Sequence, residues 1–73
     1  MQLVDVAIFT FPNDAAILES ILLGEKIEYF LNNVNMSTYV LGSGMRLSVF
    51  EKDVDRTVEI IKETGFERNL LPR

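Results

Sequence analysis

The side chains that usually carry chemistry are few in this chain, and two kinds are missing altogether. Its 73 residues include no Cys and no His. The commonest general base and the strongest common nucleophile are therefore both absent. Catalysis would have to rest on carboxylates, Lys, Tyr or a bound metal. Asp5 and Glu28 fall on predicted strands and could share the sheet face away from the helices. A carboxylate pair does acid–base work when burial separates the two pKa values. The same positions suit solvated outward residues on alternating strands, which is the simpler reading. Asp14, Asp53, Asp55 and Glu59 are not spaced like a calcium loop, and Asp14 and Asp53 are explained as acidic helix starts. No metal and no cofactor are expected. Gly42-Ser43-Gly44 together with Arg46 could cradle a small anion through backbone N–H groups and one guanidinium. No helix start follows that run, so it lacks the strand-to-helix setting of a phosphate loop and reads first as a flexible turn.

The elements that must position these residues are bounded by size. A chain of 73 residues is enough for one domain, 1–73, and its core alone supplies a net stability of roughly 3–5 kcal/mol. Without Cys or His neither a disulfide nor a structural zinc site can add to this, which leaves good packing or self-association. The apolar fraction of 48% is that of an ordinary globular domain. Net charge is −4, and the seven basic residues are scattered from Lys26 to Arg73. Nucleic-acid binding, which calls for basic residues gathered on one face, is not expected. Met1 to Asp5 has no basic n-region, and no apolar run approaches the roughly 20 residues that span a bilayer. No membrane partner is expected, and the cytoplasm is the expected location.

Leu3 to Phe11 reads as a strand closed by Pro12-Asn13-Asp14. Strict alternation puts Val4, Val6 and Ile8 on one face and Leu3, Asp5, Ala7 and Phe9 on the other. A helix is predicted over about 14–23, with Asn13 as N-cap, Ala15, Leu18, Ile21 and Leu22 as its buried stripe, and Gly24 as the left-handed residue that ends it. A second strand is predicted over 27–32 and a third over 45–50. Between them 33–44 reads as a long loop, with a short strand over 38–41 as the alternative. The second helix begins between Glu51 and Asp53, buries Val54, Thr57, Val58 and Ile61, and is stopped by Gly65, with Phe66 folding back on Ile61. The tail, 67–73, reads as a short edge strand or a loose end. The fold class is α+β, a ferredoxin-like β-α-β-β-α(-β) order with both helices on one face of an antiparallel sheet. A right-handed crossover from the first strand to the second leaves a gap that the third fills.

If Val4, Val6, Ile8, Leu47 and Val49 face the helices, alternation sends Phe9, Phe30 and Phe50 to the other side. Aromatic residues from three adjacent strands would form a patch, and patches mark interfaces. Those three rings are the predicted surface of a homo-oligomer, most simply a dimer. Cover by the long loop or by the tail is the alternative.

The chain resembles a family of small bacterial domains described as putative prokaryotic signal-transducing proteins. The resemblance rests on Val6-Ala7-Ile8-Phe9, on Asp14 through Leu22, on Gly24 through Phe30, on Gly44 through Val49, and on Asp53 with the helix after it. These pieces span the chain except for the loop and the tail. The family usually has Pro after the third strand, where this chain has Phe50, and paired glycines before it, where this chain has Gly42-Ser43-Gly44. The resemblance implies a ferredoxin-like fold related in topology to the nitrogen-regulatory P-II proteins, whose partner-binding loop joins the second and third strands. It supplies no catalytic residue. The expected function is thus a non-catalytic regulatory or signal-transducing binding module, not an enzyme. It would self-associate and present the 33–44 loop to a small anionic ligand or a protein. The alternatives are a structural subunit of a larger assembly, or an enzyme acting on a small anion near Arg46.

Overall fold

The computed structural model describes residues 2–35 and 43–72. Strand β1, Leu3–Phe9, leads into helix α1, Pro12–Gly24. Strands β2, Tyr29–Asn35, and β3, Ser43–Phe50, follow, then a 3₁₀ turn, Glu51–Asp53, that runs into helix α2, Val54–Glu63. A second 3₁₀ turn, Glu67–Asn69, begins the tail. The sheet is antiparallel in the order β1-β3-β2, so β3 does fill the gap left by the crossover. The fold is α+β, and its strand order is that of a small ferredoxin-like domain. No helix among the described residues is long and apolar enough to cross a membrane.

One irregularity reassigns the faces of β1. Leu3, Val4 and Asp5 pair with Phe50, Val49 and Ser48, but Ala7, Ile8 and Phe9 pair with Leu47, Arg46 and Met45. Val6 is the extra residue of a β-bulge. A bulge inverts the alternation beyond it. Val4 shares the helix-covered face with Val49, as expected, but past the bulge Ala7 and Phe9 take that face and Ile8 takes the opposite one. The predicted outward position of Phe9 is therefore corrected. Phe9 has no exposed surface, and its ring meets Phe66 edge-on with centroids 5.9 Å apart.

The core lies between the sheet and the two helices. Val6, Ala7, Phe9, Leu47 and Val49 meet Ala15, Leu18 and Leu22 of α1 and Val54, Ile60 and Ile61 of α2. Ile60 takes the deep position expected of Val58, which packs half-buried at the margin.

Both helices end by the same device, placed differently from the sequence reading in α1. In α2, Gly65 is left-handed at φ 88°, and the N–H groups of Phe66 and Gly65 donate to the carbonyls of Ile61 and Lys62 at 3.0 and 3.1 Å. That is the predicted Schellman ending. In α1, the N–H groups of Ile27 and Lys26 donate to Leu22 and Leu23 at 2.9 and 3.1 Å, so the left-handed residue is Lys26, at φ 60°, not Gly24. The apolar closure between Ile27 and Leu22, both buried, sets the ending. The start of α1 also moves. Pro12 occupies the first helical position, where its missing N–H costs nothing, and holds Phe11 extended as the N-cap. Asn13 is inside the helix.

Both strands that flank the predicted loop run further into 33–44 than expected. Asn33, Val34 and Asn35 pair with Met45, Gly44 and Ser43. The β2–β3 ladder runs from Tyr29–Val49 to Asn35–Ser43 without a register shift. A continuous ladder outweighs the weak strand preference of three Asn residues. The reading of 38–41 as a short strand lies outside the described residues.

The tail is not a loose end. Leu70 bridges antiparallel to Ala7, the N–H of Leu71 donates to the carbonyl of Val6 at 2.9 Å, and Asn69 Nδ2 donates to the carbonyl of Ile8 at 3.0 Å. It lies along the outer edge of β1 and closes it, where the fourth strand of the expected fold would lie.

Two substitutions test this packing. Left-handed backbone costs an L-residue roughly 1–2 kcal/mol, so Lys26→Gly is expected to raise unfolding free energy by about 1 kcal/mol after the entropy of the added glycine is deducted. Thr57 is fully buried and its hydroxyl has no hydrogen-bond partner among the described residues. Thr57→Val keeps the shape and removes that stranded group, so denaturant unfolding is expected to show unchanged or increased stability, by up to about 1–2 kcal/mol. A clear loss would mean that the hydroxyl is satisfied in solution.

Candidate functional site

The uncovered face of the sheet is built from cross-strand rows. Leu3 lies beside Phe50, Ser48 lies between Asp5 and Phe30, and Arg46 lies between Ile8 and Asn32. Neither helix packs here, because the helices bury their apolar stripes against the other side. Phe30 and Phe50 are diagonal neighbours on adjacent strands, and their rings meet edge-on at 5.8 Å with an interplanar angle of 90°. Leu3 is 50% and Phe30 38% exposed, and Phe50 is half-buried. Of the three predicted interface rings, two therefore share this face and the third, Phe9, is in the core.

Polar groups cross the same face. Ser48 is buried, and its hydroxyl donates to Asp5 Oδ1 at 2.6 Å. Arg46 Nε lies 3.6 Å from Asp5 Oδ2. Asp5 thus has both oxygens engaged, and its partners are Ser48 and Arg46 rather than Glu28. Strand pairing sets this trio side by side: Asp5 faces outward opposite Ser48, and Arg46 lies two residues along β3 on the same face, opposite Ile8. The sequence singled out Asp5 and Arg46 separately. Ser48 was missed, and its only signal was its outward place in the alternation of β3.

The predicted anion cradle is dispersed. Gly42 lies outside the described residues. Ser43 and Gly44 are strand residues paired with Asn35 and Val34, and Gly44 is buried. Regular ladder pairing does not turn successive N–H groups towards one point, which a cradle requires. Arg46 meets a carboxylate of its own chain. No enclosed pocket forms among the described residues.

Two further polar links hold helices in place. Arg56 on α2 reaches Glu25, just past α1, with two parallel hydrogen bonds of 3.0 and 2.7 Å, and donates to Glu59 at 2.7 Å. The bond from Arg56 holds the Glu25 carboxyl below its usual pKa, and its partners Glu25 and then Glu59 push Arg56 upward. Glu59, read in the sequence with the acidic residues, thus belongs to this clasp. Tyr29 on β2 donates its hydroxyl to Glu19 on α1 at 2.9 Å, and that bond raises the Tyr29 pKa. Other exposed apolar residues lie at α1: Phe11 before it, and Ile17 and Leu23 on its outer side.

No family model, no curated protein and no solved structure matches this chain.

The Arg56 clasp sets a pH dependence. Glu25 has a lower pKa folded than unfolded, so its contribution is complete above the ordinary carboxylate range and is lost as pH falls through the lowered value. Unfolding midpoints across acid pH should fall more steeply for the wild type than for Arg56→Ala. Parallel curves would show that the clasp is not held in solution.

Proposed function

We propose that this chain is a non-catalytic binding module of regulatory type. It self-associates through the helix-free face of the sheet and meets a ligand or protein partner through the 33–44 segment, of which 36–42 lie outside the described residues. The observation that carries the self-association is the Phe30–Phe50 pair, with exposed Leu3 beside it, on a face that nothing in the described chain covers. A small domain has little stability margin, so burying this surface is worthwhile. Fully burying one such side chain is worth roughly 1.5–3 kcal/mol. Association costs about 4–15 kcal/mol, so Leu3, Phe30 and Phe50 from two copies are sufficient only when well packed. A two-fold axis meets that condition by setting one patch against its own copy.

The enzymatic alternative near Arg46 has less support, because the guanidinium meets Asp5 and the glycines expected to help it belong to a ladder and to a position outside the described residues. The regulatory role itself draws on the resemblance and on the missing chemical groups.

Molar mass by light scattering over a dilution series tests the association. The wild type should reach at least two chains, and the mass should drop by half in Leu3→Ser and in Phe50→Ser, with folding checked by circular dichroism. Both substitutions lie off the edge strand β2. A wild type that stays at one chain when concentrated would end the proposal.

A further inference from the structure

The two outer edges of the sheet differ. The outer edge of β1 is bulged at Val6 and covered by the tail through Leu70, Leu71 and Asn69. The outer edge of β2 has no strand partner among the described residues. Edge strands present a row of unpaired N–H and C=O groups, and soluble proteins usually blunt them with Lys, Pro, a bulge or a cover. β2 has none of the first three. Its seven residues, Tyr-Phe-Leu-Asn-Asn-Val-Asn, contain no charge and no Pro, and they pair with β3 without a register shift.

We infer that the β2 edge pairs with the β2 edge of a second copy, antiparallel about a two-fold axis, so that two three-stranded sheets become one of six strands. This goes beyond the face contact proposed above and does not rest on it. Two features favour a second copy over an unrelated strand. An antiparallel strand edge is complementary to itself, because a two-fold axis sets each outward N–H against an outward C=O. The chain carries a net charge of −4, yet 29–35 is free of charge, so two copies can approach here without like charges meeting. Pairing centred on Asn32 sets Phe30 opposite Val34 of the second copy and Leu31 opposite Asn33. It brings Phe30 of both copies onto one continuous sheet face. With the face contact also formed, the assembly contains four chains; with the edge contact alone, two.

Amide hydrogen exchange and molar mass decide this together, on the wild type, Leu3→Ser and the double variant Asn32→Lys/Asn33→Lys. Asn32 and Asn33 are both exposed, so the lysines can be carried without burying charge, and each would lie near its like in the paired edge. Outward amides of Phe30 to Asn33 are expected to slow by about tenfold or more from dilute to concentrated wild type. Leu3→Ser, which removes the face contact only, should keep that change. The double Lys variant should lose it and show half the wild-type mass. Exchange in β2 that does not depend on concentration overturns the inference, whether it is fast throughout or slow already in dilute solution, as it would be if the chain covered its own edge. Protection that survives the two lysines also overturns it. If the Lys variant fails to fold, the wild type and Leu3→Ser still decide. Failure of the face contact is read separately, as a mass unchanged in Leu3→Ser.

Discussion

The extra residue in β1 decides more of this structure than any other feature. Val6 sits between two stretches of regular pairing with β3 and inverts the side-chain alternation between them. That inversion puts Phe9 in the core, where it meets Phe66 from the end of α2. It also leaves the Val6 carbonyl available to the N–H of Leu71, and the Ile8 carbonyl to Asn69, so the tail can dock along the edge. Without the bulge, Phe9 would face outward and Ile8 inward. The hydrophobic ending of α2 would then lose its aromatic partner.

The same irregularity shapes the opposite face. Asp5 precedes the bulge and remains outward, where Ser48 and Arg46 engage both of its oxygens. Exchanging Phe9 for Ile8 leaves that face with Leu3, Phe30 and Phe50 towards one end, Ile8 towards the other and the polar trio between them. The surface is therefore smaller and more mixed than three aromatic rings in a row.

The two ends of the molecule are organised by different means. At the α1–α2 side, helix endings close by backbone hydrogen bonds, from Ile27 to Leu22 and from Phe66 to Ile61, and Arg56 ties one helix to the residue that follows the other. These contacts are local in sequence, apart from the Arg56 clasp. At the β2–β3 side, order comes from a ladder that continues through Asn33, Val34 and Asn35. That difference explains why the sequence reading was good for α2, whose Gly65-Phe66 ending is a local signal, and poor for 33–35, where the residues prefer turns and only pairing with β3 makes them a strand. For α1 the local signals conflicted. Gly24 marked the conformationally cheap ending, but the position of Ile27 over Leu22 required the left-handed residue two places later.

From the residue order alone came the fold class, the five principal elements, the strand order, the lack of His and Cys chemistry and most of the core. All of these follow from hydrophobic period, local caps and composition, which are properties of short stretches. Only tertiary structure decided which side of the sheet Phe9 and Ile8 occupy, how far the β2–β3 ladder extends, what closes the edge of β1, and that Ser48 joins Asp5 and Arg46. Each of these depends on register between strands or on contacts between distant segments. A single inserted residue leaves the hydrophobic pattern of β1 almost unchanged, yet reverses every side chain beyond it, because a strand's side chains alternate with a period of two.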